Sequence, residues 1–400
     1  MARRLRIVSV CRTLPTPDDP SSGIFVLNRL RAMSALADVV AVQPVPYLPG
    51  MKPLPEWTRR ERSLEGLRVI HAPMLYLPGM LKSADGLWLA RAVAGPIERL
   101  HAEAPLDAVD AHFGYPEGPG CARVARRLGV PYFVTVRGVE NEYVAQPPIA
   151  RQMLAALRGA AGCISVSHSL RDVIVRRGVE PGRVRVVHNA IDSAVFRLGD
   201  RDAARRAVGV SGGAPLVVSV GHLVSRKRHH VLIDAFARVA KSRPAARLAI
   251  IGARAFERRY PDDLLALAGR LGVGHAVRLV GNVPPAEVAG WLNAADVFAL
   301  ATAREGCCNA VLEALACGAP VVTTGAGDNA HFVENDVNGA IVPVDDAAAL
   351  AAAIDAALGR TWDRPSIAAR LEREVGAWST VADRVLEFVE ERLAASEAVA

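Results

Sequence analysis

Two glutamates and a lysine stand out by type and spacing. Glu305 and Glu313 lie eight residues apart in VFALATAREGCCNAVLEALACGAPVV, residues 297–322, and Lys227 sits in a basic loop roughly eighty residues upstream. The stretch reads as strand, loop, amphipathic helix, a Gly-Ala-Pro stop and a second strand. Glu305 falls in the loop and Glu313 inside the helix. A loop that meets a helix N-terminus at the end of a buried strand is where α/β sheets bind ligands, and backbone N–H groups around Cys307, Cys308 and Asn309 would suit a phosphate. A carboxylate on either side can accept hydrogen bonds from hydroxyls but not contact the phosphate. The ligand this arrangement fits has phosphate in its middle and hydroxyl-bearing sugars at both ends, as in a nucleotide sugar. By spacing alone the same glutamates would be two solvated surface charges, so the reading depends on context.

Such a site needs parallel strands to carry it. From LRIVSV onward short apolar runs alternate with helical segments, the pattern of an α/β protein. The 400 residues suggest two or three domains, and 51% hydrophobic against 22% charged residues is the balance of a soluble globular chain. No apolar run approaches the ~20 residues a membrane helix needs. MARRLRIVSVC has too short an apolar run for a signal peptide and reads as a first strand, so a cytoplasmic location is expected. The six cysteines form neither a C-x-x-C pair nor a metal-spaced set with histidine, which points to reduced, mostly buried thiols. Asp200 and Asp202 make the only D-x-D; they precede a helix and read as an N-cap, so no metal or other cofactor is expected.

Charge is uneven along the chain. Residues 1–200 hold 26 Lys and Arg against 18 Asp and Glu, a balance of +8, and the remainder carries −1. A basic half fits an anionic membrane surface or an anionic acceptor, or reflects general arginine richness. No recognition helix, zinc finger or aromatic RNA-binding motif supports a nucleic-acid partner.

In the first half, PSSGIFVLNRLRAMSAL starts a helix with Ser21 or Ser22 as cap and Gly23 allowing close backbone approach. Residues 44–85 are proline-rich and read as a long irregular segment. In LDAVDAHFGYPEG…YFVTVRGVEN, His112 ends one strand and Arg137, Gly138 and Glu140 follow the next. His112 is a candidate for ligand binding or proton transfer, and Arg137, a bidentate anion binder, for a phosphorylated or carboxylated ligand. In the second half a strand ends at Gly221, and SRKRHH places Arg226 and Lys227 before a helix.

These motifs together resemble the retaining glycosyltransferases of family 4, nearly throughout the chain and most closely over 160–345. Glu305 and Glu313 with the Gly-Ala-Pro turn resemble the family's E-x(7)-E element. Gly221 to Lys227 resembles its G-R-L-x(3)-K signature, with His222 in place of the first arginine. Arg137-Gly138-Val139-Glu140 stands where many relatives have His-Gly-x-Asp, and Asn189 to Asp192 resembles the Asn-Gly-Val-Asp near the hinge.

The resemblance implies the α/β GT-B fold, two Rossmann-like domains facing across a cleft with a C-terminal helix crossing back to the first. The expected boundaries are an acceptor-binding domain at 1–195, a linker at 196–214, a nucleotide-sugar domain at 215–360 and returning helices at 361–400. It further implies that Glu305 holds donor-sugar hydroxyls and Glu313 the ribose. Lys227 and Arg226 would neutralise the diphosphate, and the backbone near Val280 and Asn282 would grip the base. Gly221, His222, Gly306, Cys307, Cys308 and Asn309 line the expected donor site; Gly23, Arg137 and Glu140 lie on the acceptor side, with His112 among the catalytic candidates. The expected activity is transfer of a sugar from a nucleoside diphosphate, UDP or GDP, to a glycan or lipid-linked acceptor in polysaccharide or glycolipid assembly, with peripheral contact to an anionic membrane. A non-catalytic nucleotide-sugar-binding protein is the alternative. An NAD-dependent dehydrogenase would need a G-x-G-x-x-G turn after a first strand, and neither half opens that way.

Overall fold

The computed structural model describes residues 4–20, 22–77, 79–210 and 213–397. It divides into two compact units, residues 1–189 with 378–400, and residues 190–377.

The first unit is built on eight strands: β1 (Arg6–Val10), β2 (Asp38–Tyr47), β3 (Arg62–Leu64), β4 (Leu67–Leu75), β5 (Ala108–His112), β6 (Tyr132–Val136), β7 (Gly162–Ser165) and β8 (Val184–Val186). Their order is β3-β4-β2-β1-β5-β6-β7-β8, parallel throughout except for the antiparallel β3–β4 pair. The central strands are short and buried on both faces, as VDAH and YFVTV require, because helices cover each side of a parallel sheet.

Two expectations change here. Much of the proline-rich segment 44–85 is sheet, because β2 and β4 pair from Val40↔Arg68 to Tyr47↔Leu75. The β1 ladder along β2 stops at Val42, so Pro44 and Pro46 lie where β2 has no neighbour on that side and a missing N–H costs nothing. The first helix, Ile24–Leu36, takes no cap from Ser22; its N-cap is Gly23 in the left-handed region at φ 65°. The alternative cap, Ser21, lies outside the described residues. A Cβ on Gly23 would stand 2.0 Å from the Thr13 carbonyl oxygen, so backbone contact excludes any other residue.

The helix Trp378–Glu397 belongs to this unit and buries Val381, Val385, Leu386, Phe388 and Val389, with Trp378 only half-buried. The Phe388 ring meets Phe133 edge-on at 6.3 Å and lies over Gly162, where a Cβ would come within 2.8 Å of it.

The second unit has six parallel strands: β9 (Leu216–Val220), β10 (Arg247–Ile251), β11 (Val277–Gly281), β12 (Val297–Leu300), β13 (Val321–Thr324) and β14 (Gly339–Val342), in the order β11-β10-β9-β12-β13-β14. Its core gathers Leu232, Ile233 and Phe236 from one helix with Val217, Leu248, Val297 and Ile354. Between the two expected domains, residues 196–210 are structured within this unit. They carry the helix Arg201–Ala207, capped by Asp200, which accepts from the backbone N–H of Asp202 and Ala203. Arg205 on that helix is buried, pairing with Asp296 at 3.0 Å and donating to the Ala214 carbonyl at 2.6 Å. The helix Arg364–Val375 also stays here, because Arg364 donates to the carbonyls of Ala295, Asn293 and Cys317 at 2.7, 3.1 and 3.0 Å.

Candidate active site

In the second unit the candidate residues gather where β9, β10, β12 and β13 end. Beyond Gly221 the basic loop makes one 3-10 turn, Ser225–Lys227. It is tied down on two sides. Glu257 accepts from the backbone N–H and hydroxyl of Ser225, both at 3.0 Å. The Arg226 carbonyl accepts the Ala303 N–H at 2.9 Å, fixing the loop against the segment after β12.

That registration brings Lys227 onto Glu305. Lys227 Nζ donates to Glu305 Oε1 at 2.6 Å, the Thr302 hydroxyl donates to the same oxygen at 2.8 Å, and both charged residues are only 8% exposed. Burial lowers the ammonium pKa, but the charge and hydrogen bond of Glu305 outweigh it and the net shift is upward. Lys227 is a cation at neutral pH. Two of its three N–H groups and Glu305 Oε2 take no partner among the described residues.

Glycines let the surrounding backbones close on this pair. A Cβ on Gly252 would stand 2.0 Å from the Gly221 carbonyl oxygen. Gly327 adopts φ 64°, and a Cβ there would meet the Gly306 carbonyl at 2.8 Å and Glu305 Cβ at 2.9 Å. Buried Thr324 donates to the Thr302 carbonyl at 2.5 Å, locking the end of β13 to the loop that carries Glu305.

The helix Asn309–Ala316 starts immediately after Cys308 with no side-chain cap. The Cys308 thiol is buried and pushed up to about 12, so it is no thiolate at neutral pH, and Cys307 is half-buried. Glu313 is partly buried on this helix; burial raises its pKa to about 7 against the pull of Lys227. Arg226 is half-buried beside Lys227, His222 is exposed, Val280 is the next-to-last residue of β11, and Asn282 follows the strand.

In the first unit His112 and Glu140 are both engaged by their neighbours. His112 is fully buried, with both ring nitrogens engaged: Nδ1 lies 3.2 Å from an Arg137 guanidinium nitrogen and Nε2 lies 2.8 Å from Asp110 Oδ2. Guanidinium can only donate, so Nδ1 accepts and Nε2 carries the proton. Burial drives the His112 pKa to about 4 against the pull of Asp110, which leaves a neutral ring that orients Arg137. Glu140 does not face an acceptor. It is fully buried and accepts the N–H groups of Gly114, Arg137 and Gly138 at 2.7, 3.0 and 2.7 Å, bracing the two strand-end loops.

Arg137 remains the cation of this cluster. It donates to Asn189 Oδ1 at 3.1 Å and lies 5.1 Å over the Phe25 ring. It makes no ion pair with any carboxylate among the described residues. Burial and the neighbouring Arg29 lower its pKa to about 9, still charged at pH 7. Arg29 is 2% exposed, donates to Thr135 at 2.9 Å and stands 3.8 Å from Asp110. Burial alone would raise Asp110, but His112 and Arg29 hold it well below the usual carboxylate range. Of the two buried guanidinium ions, Arg29 pairs with Asp110 and Arg137 is held by the neutral groups of Asn189 and His112. Sequence reasoning missed Arg29, Asp110, Thr302, Thr324 and His229. Arg29 sits on a helix that also carries Asn28 and Arg31, and Asp110 two residues before His112, so neither stands out from its neighbours in the sequence.

Two parallel α/β units, each carrying polar residues at its strand ends, with the last helix belonging to the first unit, define the GT-B glycosyltransferase fold. Among solved structures the chain is similar to sucrose-phosphate synthase from Thermosynechococcus elongatus, with a TM-score of 0.78 at 20% identity over 98% of this chain and 100% of the other. It is also similar to Anabaena Alr3699/HepE in complex with UDP and glucose, at 0.77 and 21% over 97% and 100%. Such identities bear on the fold alone. Residues 22–190 match the family described as glycosyl transferase 4-like domain, and residues 200–369 match glycosyl transferases group 1. The chain belongs to this glycosyltransferase family. Its curated relatives include a D-inositol 3-phosphate glycosyltransferase of Kribbella flavida, 37% identical over 46% of this chain and 45% of the relative. Another of the same description, from Frankia alni, is 28% identical over 78% and 86%.

Proposed function

We propose that the protein transfers a sugar from a nucleoside-diphosphate donor, UDP or GDP, with retention of configuration, to a glycan, lipid-linked or polyol acceptor bearing an anionic group. The observation that carries the reading is the buried Lys227–Glu305 pair, which keeps two ammonium hydrogens and one carboxylate oxygen for a ligand. Breaking the anomeric C–O bond moves charge onto the leaving diphosphate. Lys227, Arg226 and the N-terminal turn of the helix Asn309–Ala316 would stabilise that charge. Glu305 Oε2 would accept from sugar hydroxyls and Glu313 from the ribose, with the acceptor hydroxyl attacking on the face the diphosphate leaves. The donor would bind without a metal ion.

Arg137, a buried cation without an ionic partner, supports the anionic acceptor. The printed names of the curated relatives, inositol phosphate glycosyltransferases, agree with it. No helix among the described residues is long and apolar enough to cross a membrane, so contact with a lipid-linked acceptor would be peripheral, from the basic first half. A second reading, a nucleotide-sugar-binding protein without turnover, draws on the engagement of both His112 nitrogens, which leaves that ring no free base.

The test is thermal-shift binding of UDP-, GDP-, ADP- and TDP-sugars with and without EDTA, on wild type and Lys227→Ala, followed by NMR of the product's anomeric centre with inositol phosphate as acceptor. A shift with one nucleotide class, indifferent to EDTA and lost in Lys227→Ala, supports the donor site. Donor binding without product over a broad acceptor panel would favour the second reading. An inverted anomeric centre would overturn retention.

A further inference from the structure

The second unit has a cavity of about 240 Å³ at the end of its sheet opposite the candidate donor residues. It opens where β9, β10 and β11 begin, against the turn that follows the helix Arg201–Ala207 and the helix Pro285–Ala294. Val210, Leu216 and Val277 give it an apolar floor. Arg247, His275 and Arg278, all exposed, also line it, and no acidic side chain does.

Trp291 lines the same cavity, is 3% exposed, and has an indole N–H with no acceptor among the described residues. Native interiors rarely leave such a donor unpaired. The Arg278 guanidinium lies 5.4 Å over the Trp291 ring, and Arg247 is steadied by the carbonyls of Ala245 and Ala246 at 3.0 and 2.9 Å. Two held cations above an apolar floor describe one ligand chemistry. It has an apolar body for the floor and an oxyanion for the arginines.

We infer that this cavity is a second ligand site, specific for a small amphipathic organic anion and separate from the donor site. The inference is independent of the proposed transferase chemistry, since every residue it uses lies at the amino ends of the strands.

The test is calorimetric titration of the full chain with 1-naphthoate and with its neutral isostere 1-naphthamide. The expected result is one saturable naphthoate site with the amide at least tenfold weaker. The surface variant Arg247→Gln/Arg278→Gln should weaken naphthoate at least tenfold while retaining the wild-type melting point. Equal binding of the amide, full naphthoate affinity in the double variant, or no saturable binding at millimolar naphthoate would each overturn the inference.

Discussion

Both units hold buried charge at the carboxyl ends of parallel strands, but the two clusters differ in balance. In the second unit Lys227 and Glu305 match one for one, with Thr302 satisfying the shared oxygen. In the first, Arg29 pairs with Asp110, while the Arg137 guanidinium is held by neutral His112 and Asn189 and makes no ion pair among the described residues. A matched pair can stay buried without a ligand and offer its spare valences to one. An excess cation pays desolvation without a partner until an anion arrives. On the proposed function, the same sheet position would serve the donor's hydroxyls in one unit and an anionic acceptor in the other.

The widest separation between the clusters should appear on removing one member of each. Glu305→Gln should cost roughly two to three orders of magnitude in turnover, as loss of a transition-state hydrogen-bonding group does. It should also destabilise by about 3–5 kcal/mol, because it leaves Lys227 buried and unpaired. Arg137→Met should cost less stability, because removal of a desolvated cation offsets the hydrogen bonds lost at Asn189 and His112, while increasing KM for a phosphorylated acceptor by about 10- to 100-fold. If Arg137→Met unfolds the chain as readily as Glu305→Gln, the two clusters are not different in kind. An equal loss with a neutral acceptor analogue would remove the anion reading.

A finer distinction comes from pH. Glu313 has a pKa near 7, and in the proposed donor complex its carboxylate form would hold the ribose hydroxyls. Donor affinity should therefore weaken as pH falls through 7, approaching tenfold per unit below it. Calorimetry between pH 8 and 6 on wild type and Glu313→Gln would check this, and the variant should show a flat profile.

The smallest effect concerns stability. His112 in the first unit and His229 in the second are both fully buried with pKa values near 4, against 6.5 for the free side chain. For each the unfolded chain binds the proton and the folded one does not. Stability is full above about pH 6.5 and falls as pH drops toward 4, by up to about 3 kcal/mol per histidine. His229→Gln should flatten the denaturation midpoint over that window in part, and an unchanged slope would show that His229 titrates while folded.

The alternation of strands and helices was legible because a buried parallel strand leaves a continuous apolar run, as VFAL and YFVTV do. Glu305 and Lys227 were legible as candidates because they interrupt that pattern in loops. Glu140 and His112 misled for the same reason. A polar residue at a strand end reads alike whether it faces a ligand or braces the neighbouring loop, and only the N–H groups converging on Glu140 separate the two. Arg29 was invisible because an arginine in FVLNRLRAM looks like any solvated helix face, and nothing local announces that Thr135 and Asp110 lie beneath it. The strand through Pro44 and Pro46 was hidden because proline's exclusion from sheets depends on which side of the strand lacks a neighbour, and that is a property of β1.

The first unit is discontinuous in sequence, and this governs the order in which the chain can be completed as it is made. The second unit lies wholly within residues 190–377, so all of its core has been synthesised before Trp378 is added. The first unit, although begun earlier, lacks Phe388 and Val385 until the final residues emerge, leaving Gly162 and the helix Ile24–Leu36 uncovered. On the ribosome the part begun first is the part finished last. A nascent chain stalled before Trp378 would carry one closed unit and one open, apolar face of the kind that folding helpers bind.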